Sequence, residues 1–278
     1  MTSAEVRVLN TANIQALSTD QIVALDSAQV SALTTGQIAA LTTTQVAAIE
    51  TADLAGMGTA SVRAMETDDV KALTTDQVVA LSSNQISALS TAQVRALTTD
   101  QIAAVETHDL RSMGTSQIGV LSTDQAAALT TDQVQALTTA GIRALSTSAL
   151  QAMTTDQVVA LDSAQVGALT TGHVRALTTS QVSAVETADL AGLGTAAIRA
   201  MTTDEVKALS TDQIVALNSV QIGALNTAQV RALTTDQVSA IETSDLRAMS
   251  TAQVQAFSTD QVAALSTDQV AAMTSAEI

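Results

Sequence analysis

The sequence predicts an all-α fold, a solenoid of very short helices with one helix per eight-residue repeat and about 3.4 repeats per superhelical coil. Three observations lead to this prediction. All 278 residues follow one octad, L-(S/T)-T-x-Q-(V/I)-x-A, through 34 full repeats and six further residues without insertion or deletion. The octad carries residues that start a helix. A longer repetition within the array has the spacing expected of coils built from three to four octads.

The apolar positions of the octad predict stacking. Position 1 is always Leu, Met, Ile, Val or Phe, position 6 is Val, Ile or Leu except at Ala126, and position 8 is mostly Ala. A repeat this short cannot bury its own apolar face, so it must pack against its neighbours. The chain has no Trp, Tyr, Pro or Cys, and Phe257 is its one aromatic residue. The predicted interior is therefore thin and uniformly aliphatic.

The polar positions predict a helix start in every octad. Position 2 is mostly Ser, Thr, Asn or Asp and position 5 mostly Gln, Asp or Glu, which together form a capping box. Positions 1 and 6 then form the hydrophobic staple of that box. All 27 acids fall at positions 2, 4 or 5, and all eleven Lys and Arg residues fall at position 7, where we expect solvated charges at the helix end.

Position 3 is Ser or Thr in all 35 instances and has two interpretations. It is either the true N-cap, or its hydroxyl lies on the inner side and bonds a backbone group of a neighbouring octad, forming a polar ladder. Two other folds fit less well. In a continuous helix the apolar stripe would wind around the axis by about 80° per octad, and a β-solenoid needs an alternation that positions 4 to 8 lack.

A longer period divides the predicted single solenoid, residues 1–278, into copies. Residues 1–136 match residues 137–272, and residues 273–278 begin a third copy. Octads 7, 14, 24 and 31 share the motif ETxDL, at separations of 7, 10 and 7 octads. With about 3.4 octads per coil these separations are close to whole turns, which would place the motif on one face. Gene duplication alone would also produce both periods.

The ETxDL octads are also the candidate metal sites. Each supplies two carboxylates, and Ca²⁺ takes six to eight oxygen ligands. The alternative is a charged capping box at a helix start. Gly58, Gly114 and Gly194 follow three of these octads and indicate either a modified corner or a tolerated N-cap. The candidate Ca²⁺ ligands are Glu50, Asp53, Glu106, Asp109, Glu186, Asp189, Glu242 and Asp245.

Neither an active site nor a cofactor site is predicted. His108 and His173 occupy polar positions of different octads and are interpreted as surface variants. No histidine with an acidic partner recurs beside the serines, so a nucleophilic active site is not indicated. The sequence also lacks phosphate-loop and zinc-binding motifs. The formal net charge of −16 argues against nucleic-acid partners. Because no apolar run approaches the length of a transmembrane helix, we expect no membrane insertion. Paired Thr at positions 2 and 3 could present an ice-binding array, although capping explains the same residues.

The A-L-T-T-x-Q-V octad resembles the octapeptide repeat regions of large bacterial secreted or surface proteins. This resemblance covers the whole chain and transfers no catalytic residue. It implies a non-enzymatic structural rod, stalk or fibre segment, extracellular or at the cell surface. Such a segment would associate end to end or with other domains of a longer chain. A binding module that uses the ETxDL octads, for Ca²⁺ or a protein, is the alternative.

Overall fold

The computed structural model of the protein describes residues 1–273, so the predicted third copy, residues 273–278, lies outside the described residues except for Met273. Within that range the chain forms thirty-three α-helices of four to six residues and one 3-10 helix, with no strand. The prediction of an all-α solenoid with one short helix per octad is confirmed. None of the described helices has the length to cross a membrane.

The chain divides into two compact units, Met1–Leu137 and Thr138–Ile278, at the boundary between the sequence copies. Octads are numbered from octad 1 at Met1 to octad 34 at Leu265. The helices of the first unit are α1 to α17: Ser3–Val8, Thr11–Gln15, Thr19–Val23, Ser27–Ala32, Thr35–Ile38, Thr43–Ala48, Thr51–Ala55, Thr59–Ala64, Thr67–Ala72, Thr75–Val79, Ser83–Ala88, Thr91–Ala96, Thr99–Ala104, Thr107–Leu110, Thr115–Ile118, Thr123–Ala128 and Thr131–Ala136. The second unit contains α18 to α33, with the 3-10 helix Leu190–Gly192 after α23: Thr139–Ala144, Thr147–Ala152, Thr155–Val159, Ser163–Gly167, Thr171–Ala176, Thr179–Ala184, Thr195–Ala200, Thr203–Ala208, Thr211–Ala216, Ser219–Ile222, Thr227–Ala232, Thr235–Ala240, Thr243–Leu246, Thr251–Val254, Thr259–Ala263 and Thr267–Ala272.

Each helix begins at position 3, because position 2 is its N-cap. In octad 13, the Thr98 side chain accepts from the backbone N–H of Gln101, and the Gln101 side chain accepts from the N–H of Thr98. The capping box at positions 2 and 5 is thereby confirmed. Position 3 as the N-cap is wrong, since it is the first helical residue.

The corners between helices use ordinary extended backbone. Leu33, at position 1, has φ −58° and ψ 132°, and Thr34 at position 2 has φ −72° and ψ 158°. Among the described residues none has a positive φ. Because no left-handed residue is needed to turn the chain, aliphatic side chains can occupy the corner and reach the interior.

The core is built from positions 1 and 6, as predicted. Position 6 side chains such as Val70 and Ile102 are fully buried, and position 1 side chains such as Leu73 are nearly so. Each helix packs against the helix three octads further on, as Thr43–Ala48 packs against Thr67–Ala72. Side-chain hydrogen bonds between coils join residues 25, 26, 28 and 31 positions apart. One turn therefore takes between three and four octads in each unit, which agrees with the predicted 3.4.

Candidate functional site

A buried glutamine at position 5 joins each coil to the coil beneath it. In octad 13, Gln101 Oε1 accepts from the Thr98 N–H at 2.8 Å. Its Nε2 donates to the backbone oxygens of Val70 at 2.9 Å and Leu73 at 2.6 Å. Those two carbonyls lie at the end of a helix, where backbone partners become fewer; the Val70 oxygen also accepts from the Leu73 N–H at 3.3 Å. One side chain thus caps the start of its own helix and the end of a helix in the coil below.

This arrangement, called here the Gln bridge, recurs in both units. The amide donates to position 6 of the octad four before it and to position 1 of the octad three before it. The glutamines concerned are almost completely buried, with exposed fractions of 1 to 5%. They are Gln37, Gln45, Gln77, Gln85, Gln93, Gln101, Gln117, Gln125, Gln133, Gln181, Gln213, Gln221, Gln229, Gln237, Gln253, Gln261 and Gln269.

Sequence reasoning identified the capping half of this residue and missed the bridging half. A capping box accepts Glu as readily as Gln, and Glu suits the helix dipole better. The strong preference for Gln at position 5 was therefore the available signal that an N–H donor is required. The polar ladder expected from position 3 exists, but position 5 forms it, and the position 3 side chains are mostly exposed.

His173 performs the same role as a bridging glutamine. Its ring is 4% exposed. The Thr170 N–H donates to Nδ1 at 3.3 Å, and Nε2 lies 2.9 Å from the Leu145 oxygen. The prediction that His173 is a surface variant is wrong, because position 5 faces the coil below. His108, at position 4, is exposed as predicted.

Glu205 and Asp69 occupy position 5 in place of glutamine, and their carboxylates lack the N–H donor of the glutamine amide. Burial raises the pKa of the Glu205 carboxyl above its ordinary value, against the opposing hydrogen bonds from Thr202. Burial likewise raises the pKa of Asp69, opposed by the hydrogen bond from Glu66. A carboxylate cannot donate to the carbonyls beneath it, so deprotonation is less favourable at these sites than in the unfolded chain.

Glu205→Gln is expected to stabilise the second unit at neutral pH, by about 1–3 kcal/mol. The new amide can donate to the oxygens of Val174 and Leu177, which occupy the same octad positions as Val70 and Leu73 beneath Gln101. Because the folded pKa of Glu205 is raised, its stabilising contribution is present below the unfolded value and is lost as pH rises through the folded value. Melting temperatures measured from acidic to neutral pH should show the gain of the variant growing with pH. Asp212→Asn, at an exposed aspartate of the next octad, is the control and should leave that slope unchanged; equal slopes for wild type and Glu205→Gln would contradict the prediction.

The ETxDL aspartates face a serine of the adjacent coil. Asp53 and Asp109 are 5% and 1% exposed. The Ser27 hydroxyl donates to Asp53 and the Ser83 hydroxyl donates to Asp109, each at 2.5 Å. Asp245 receives the same bond from Ser219 at 2.5 Å. We call each such serine–aspartate pair, in which the serine stands 26 positions before the aspartate, a latch.

The fourth latch has a different geometry. Asp189 is half-buried in the one octad that forms a 3-10 turn, and it accepts a hydrogen bond from the Ser163 backbone. Burial raises the pKa of Asp189, and the nearby charges of Glu186 and Asp162 raise it further. The aspartate and the serine therefore also meet in this latch, but the serine donates its backbone N–H in place of its hydroxyl.

Small residues let the latched helices approach closely. A Cβ on Gly192 would lie 2.1 Å from the Ser163 oxygen, and a Cβ on Gly167 would lie 2.8 Å from the Gly192 oxygen. At the same octad position of another latch, in octad 14, the Ser112 hydroxyl donates to the Ser83 oxygen at 2.9 Å. Aspartate is shorter than glutamine by one methylene, so the helices must move together for it to reach a partner.

The family profile of the ALTTAQ repeat matches eight stretches that together cover most of the chain: residues 6–43, 46–83, 79–107, 102–139, 139–171, 182–219, 214–240 and 238–275. The chain belongs to the ALTTAQ repeat family. The six letters of the ALTTAQ name fall on position 8, the corner, the N-cap, the first helical residue, position 4 and the bridging glutamine. No curated protein matches the chain.

In the ETxDL octads of this ALTTAQ array, the glutamate and the aspartate have different roles. Glu50, Glu106 and Glu242 are exposed N-caps whose side chains form no cap hydrogen bond. The charged capping box considered for these octads is therefore wrong, because the aspartate bonds to the serine of the next coil instead. That the four motifs share one face stays a prediction.

One ETxDL octad adds a third ligand type. His108 Nδ1 lies 3.4 Å from Glu106, and its Nε2 lies 3.1 Å from Asp109. Potential ligand atoms of these three residues lie within 4.8 Å of one another, close enough to hold one metal ion. The other three octads have Ala52, Ala188 and Ser244 in place of the histidine. The arrangement is thus particular to octad 14, and Ca²⁺ binding by the eight acidic residues stays a prediction.

Two smaller expectations require correction. Gly58, Gly114 and Gly194 are N-caps with φ of −70°, −74° and −72°, like other ALTTAQ caps. A modified corner is therefore wrong at these positions, and the tolerated N-cap is correct. The exposed position 7 arginines also do more than carry solvated charge. In several of them Nε donates to a position 8 oxygen of a later coil, as Arg63 does to Ala88 at 3.2 Å. The others with this bond are Arg95, Arg111, Arg199 and Arg247.

Proposed function

We propose that the chain is a structural spacer: a rod, stalk or fibre segment of a bacterial extracellular or surface protein, without catalysis. The observation that carries the proposal is the Gln bridge, which repeats the same bonds along the array within each unit. Each added coil therefore adds the same rise. The role is mechanical, since the repeated geometry serves to join coils and the exposed surface varies from octad to octad.

The amino-acid composition of the array is compatible with a location outside the cell. The fold needs no disulfide, because the chain has no Cys and each coil is held by side-chain amides to backbone. The net charge of −16 keeps a long apolar-cored array from associating laterally. A spacer of this kind would hold an adhesive or anchoring domain away from a surface, and end-to-end association or docking to further domains would extend it.

Length scaling tests the spacer. A variant in which residues 137–272 are repeated once more gains seventeen octads, or about five coils at 8–10 Å each. The maximum dimension measured by small-angle X-ray scattering and electron microscopy should then increase by about 40–50 Å while the cross-section stays constant. A particle that widens in proportion to its mass would rule the spacer out.

Ca²⁺ or protein binding at the ETxDL octads is the second candidate. The exposed glutamates and the cluster of Glu106, His108 and Asp109 favour it. A calcium titration followed by thermal melting should raise the melting temperature, and a Glu106→Gln variant should respond less. An unchanged melting curve at millimolar calcium excludes the metal.

Ice binding is the third candidate. The position 3 threonines, such as Thr99 and Thr123, are exposed first residues of helices that pack on each other, and their side chains are not the N-caps. Thermal hysteresis of the purified chain measures this activity directly. Freezing and melting points that coincide would remove the candidate.

A further inference from the structure

The Gln bridge supplies stability without specifying which octads meet. Its donors go to backbone oxygens at positions 6 and 1, and every octad has those oxygens. An array held only in this way could stack one octad out of register and form nearly the same bonds. Uniform repeats are prone to such slippage, just as strands without a distinctive pattern are. Some feature of the chain must distinguish the native register.

The latches have the distribution that such a feature needs. Position 3 is Thr nearly everywhere, and Ser replaces it in only five of the 34 octads that lie within the described residues. Four of those five serines stand three octads before an ETxDL aspartate. They are Ser27, Ser83, Ser163 and Ser219, paired with Asp53, Asp109, Asp189 and Asp245.

A second feature marks the same places. The octad immediately before each latch serine has Val at position 7, and these valines are 42 to 46% exposed. The latch octads themselves have only Ser or Gly at position 7. They are the octads of Ser31, Ser87, Gly167 and Gly223, and the preceding valines are Val23, Val79, Val159 and Val215.

We propose that the four latches fix the register of the solenoid, by admitting only the octad three places earlier beneath each ETxDL helix. In the native register a short side chain at position 7 allows the close approach. A serine hydroxyl then meets the buried aspartate in three latches, and the Ser163 backbone meets Asp189 in the fourth. A slip by one octad in one direction would bring valine against the helix where only Ser or Gly fits. It would also place the aspartate opposite threonine. Buried polar pairs select register in coiled coils by the same physics.

Asp69 is a buried aspartate at position 5 that has no latch serine in the adjacent coil, so it can be compared with the ETxDL aspartates. Octad 9 reads METDDVKA, and Thr43 occupies the place that a latch serine would take. Asp69 is 3% exposed and accepts from the N–H of Glu66 in its own octad at 3.0 Å. Its octad also has Val70 in place of the ETxDL leucine. Serine across the coil is thus what turns a capping aspartate into a latch.

A double-mutant cycle tests the pairing. Ser83→Ala removes the donor to a buried carboxylate and should lower the melting temperature by about 3–6 °C. In the Asp109→Gln background a Gln bridge can form. Ser83→Ala should then shift the melting temperature by less than about 1 °C. Thr75→Ala is the matched control, because Thr75 has the same place relative to Gln101 as Ser83 has relative to Asp109. If Ser83→Ala has the same effect in both backgrounds, or no more effect than Thr75→Ala, the pairing is overturned.

Gain of a latch provides the converse test. Thr43→Ser keeps the hydroxyl and removes the γ-methyl group, so the hydroxyl should be able to approach Asp69 and raise the melting temperature. Thr179→Ser is the matched control and should not, because the acid at the equivalent place is Glu205, whose side chain is one methylene longer than the aspartate of a latch. Equal effects of the two substitutions would contradict the proposal.

Register itself is read by cross-linking, since the chain has no Cys of its own. Lys71→Cys with Ala96→Cys joins position 7 to position 8 three octads later, the same relation as the native Arg63–Ala88 contact. Lys71→Cys with Ala104→Cys joins position 7 to position 8 four octads later, the direction of slip that would bring a valine octad beneath an ETxDL helix. After refolding and oxidation, the chain with intact latches should cross-link only the first pair. With Ser27→Ala and Ser83→Ala added, the second pair should form and the first should fall at least twofold. An unchanged pattern would show that the latches do not set register.

Discussion

Gln101→Ala is expected to lower the free energy of unfolding by about 3–5 kcal/mol, a large effect for a polar side chain. The substitution leaves the N–H of Thr98 and the oxygen of Leu73 without their partner, and it leaves the oxygen of Val70 with only the Leu73 N–H. Each buried group left unsatisfied costs about 1–3 kcal/mol, partly relieved where water can enter. Urea denaturation followed by far-ultraviolet circular dichroism measures the change.

Gln21→Ala is the matched control for this experiment. Gln21 caps its own helix by accepting from the Ser18 N–H at 2.9 Å, and it is exposed. We expect a loss of about 0.5–1 kcal/mol, the usual contribution of a capping contact. Similar losses for Gln21→Ala and Gln101→Ala would mean that only capping matters and that the bridge between coils contributes nothing.

Gly192→Ala is expected to destabilise the second unit by about 3 kcal/mol, at the upper end of overpacking effects. The added Cβ would lie 2.1 Å from the Ser163 backbone oxygen and 3.1 Å from the Gly167 nitrogen. Because both are backbone atoms, no side-chain rotation relieves the clash, and the two helices must separate. Separation should also loosen the contact of Asp189 with Ser163. Hydrogen exchange across residues 161–192 should show faster exchange in the variant.

Gly172→Ala distinguishes this clash from a general effect of adding a methyl group. A Cβ on Gly172 would meet its nearest atoms at 3.7 and 3.8 Å, which is ordinary contact. Gly172 lies within the helix Thr171–Ala176, where alanine is favoured over glycine by up to about 1 kcal/mol. The variant should therefore be as stable as wild type or more stable. If both alanine variants lose stability equally, close approach at Gly192 is not the cause.

The fold could be predicted from the sequence because its signals are local. Thr98 and Gln101 lie within one octad, and their capping box determines where a helix starts whatever lies beneath it. The corner follows from the same octad. Even the number of octads per coil could be predicted, because the separations between the ETxDL octads are close to whole turns of about 3.4 octads.

The contacts between coils could not be predicted with the same reasoning, because they join residues that are more than three octads apart along the chain. His173 illustrates the limit: within its own octad it is a polar residue near a helix start, and only the coil below makes it buried. Ser83 and Asp109 illustrate it again, since each is an ordinary polar residue until the winding of the chain places them together. The substitution of Ser for Thr at position 3 was visible in the sequence, but its meaning required the neighbouring coil.

The latches also constrain how such a gene can change in length. Each one spans three octads, so an octad inserted between Ser83 and Asp109 would separate the pair, whereas one inserted between two latches would leave every pair intact. The two intervals of seven octads and the interval of ten differ by three octads, and that difference lies between Asp109 and Ser163, outside any latch. We expect unequal recombination to be tolerated there and at equivalent places, so that the array lengthens between latches and not within them.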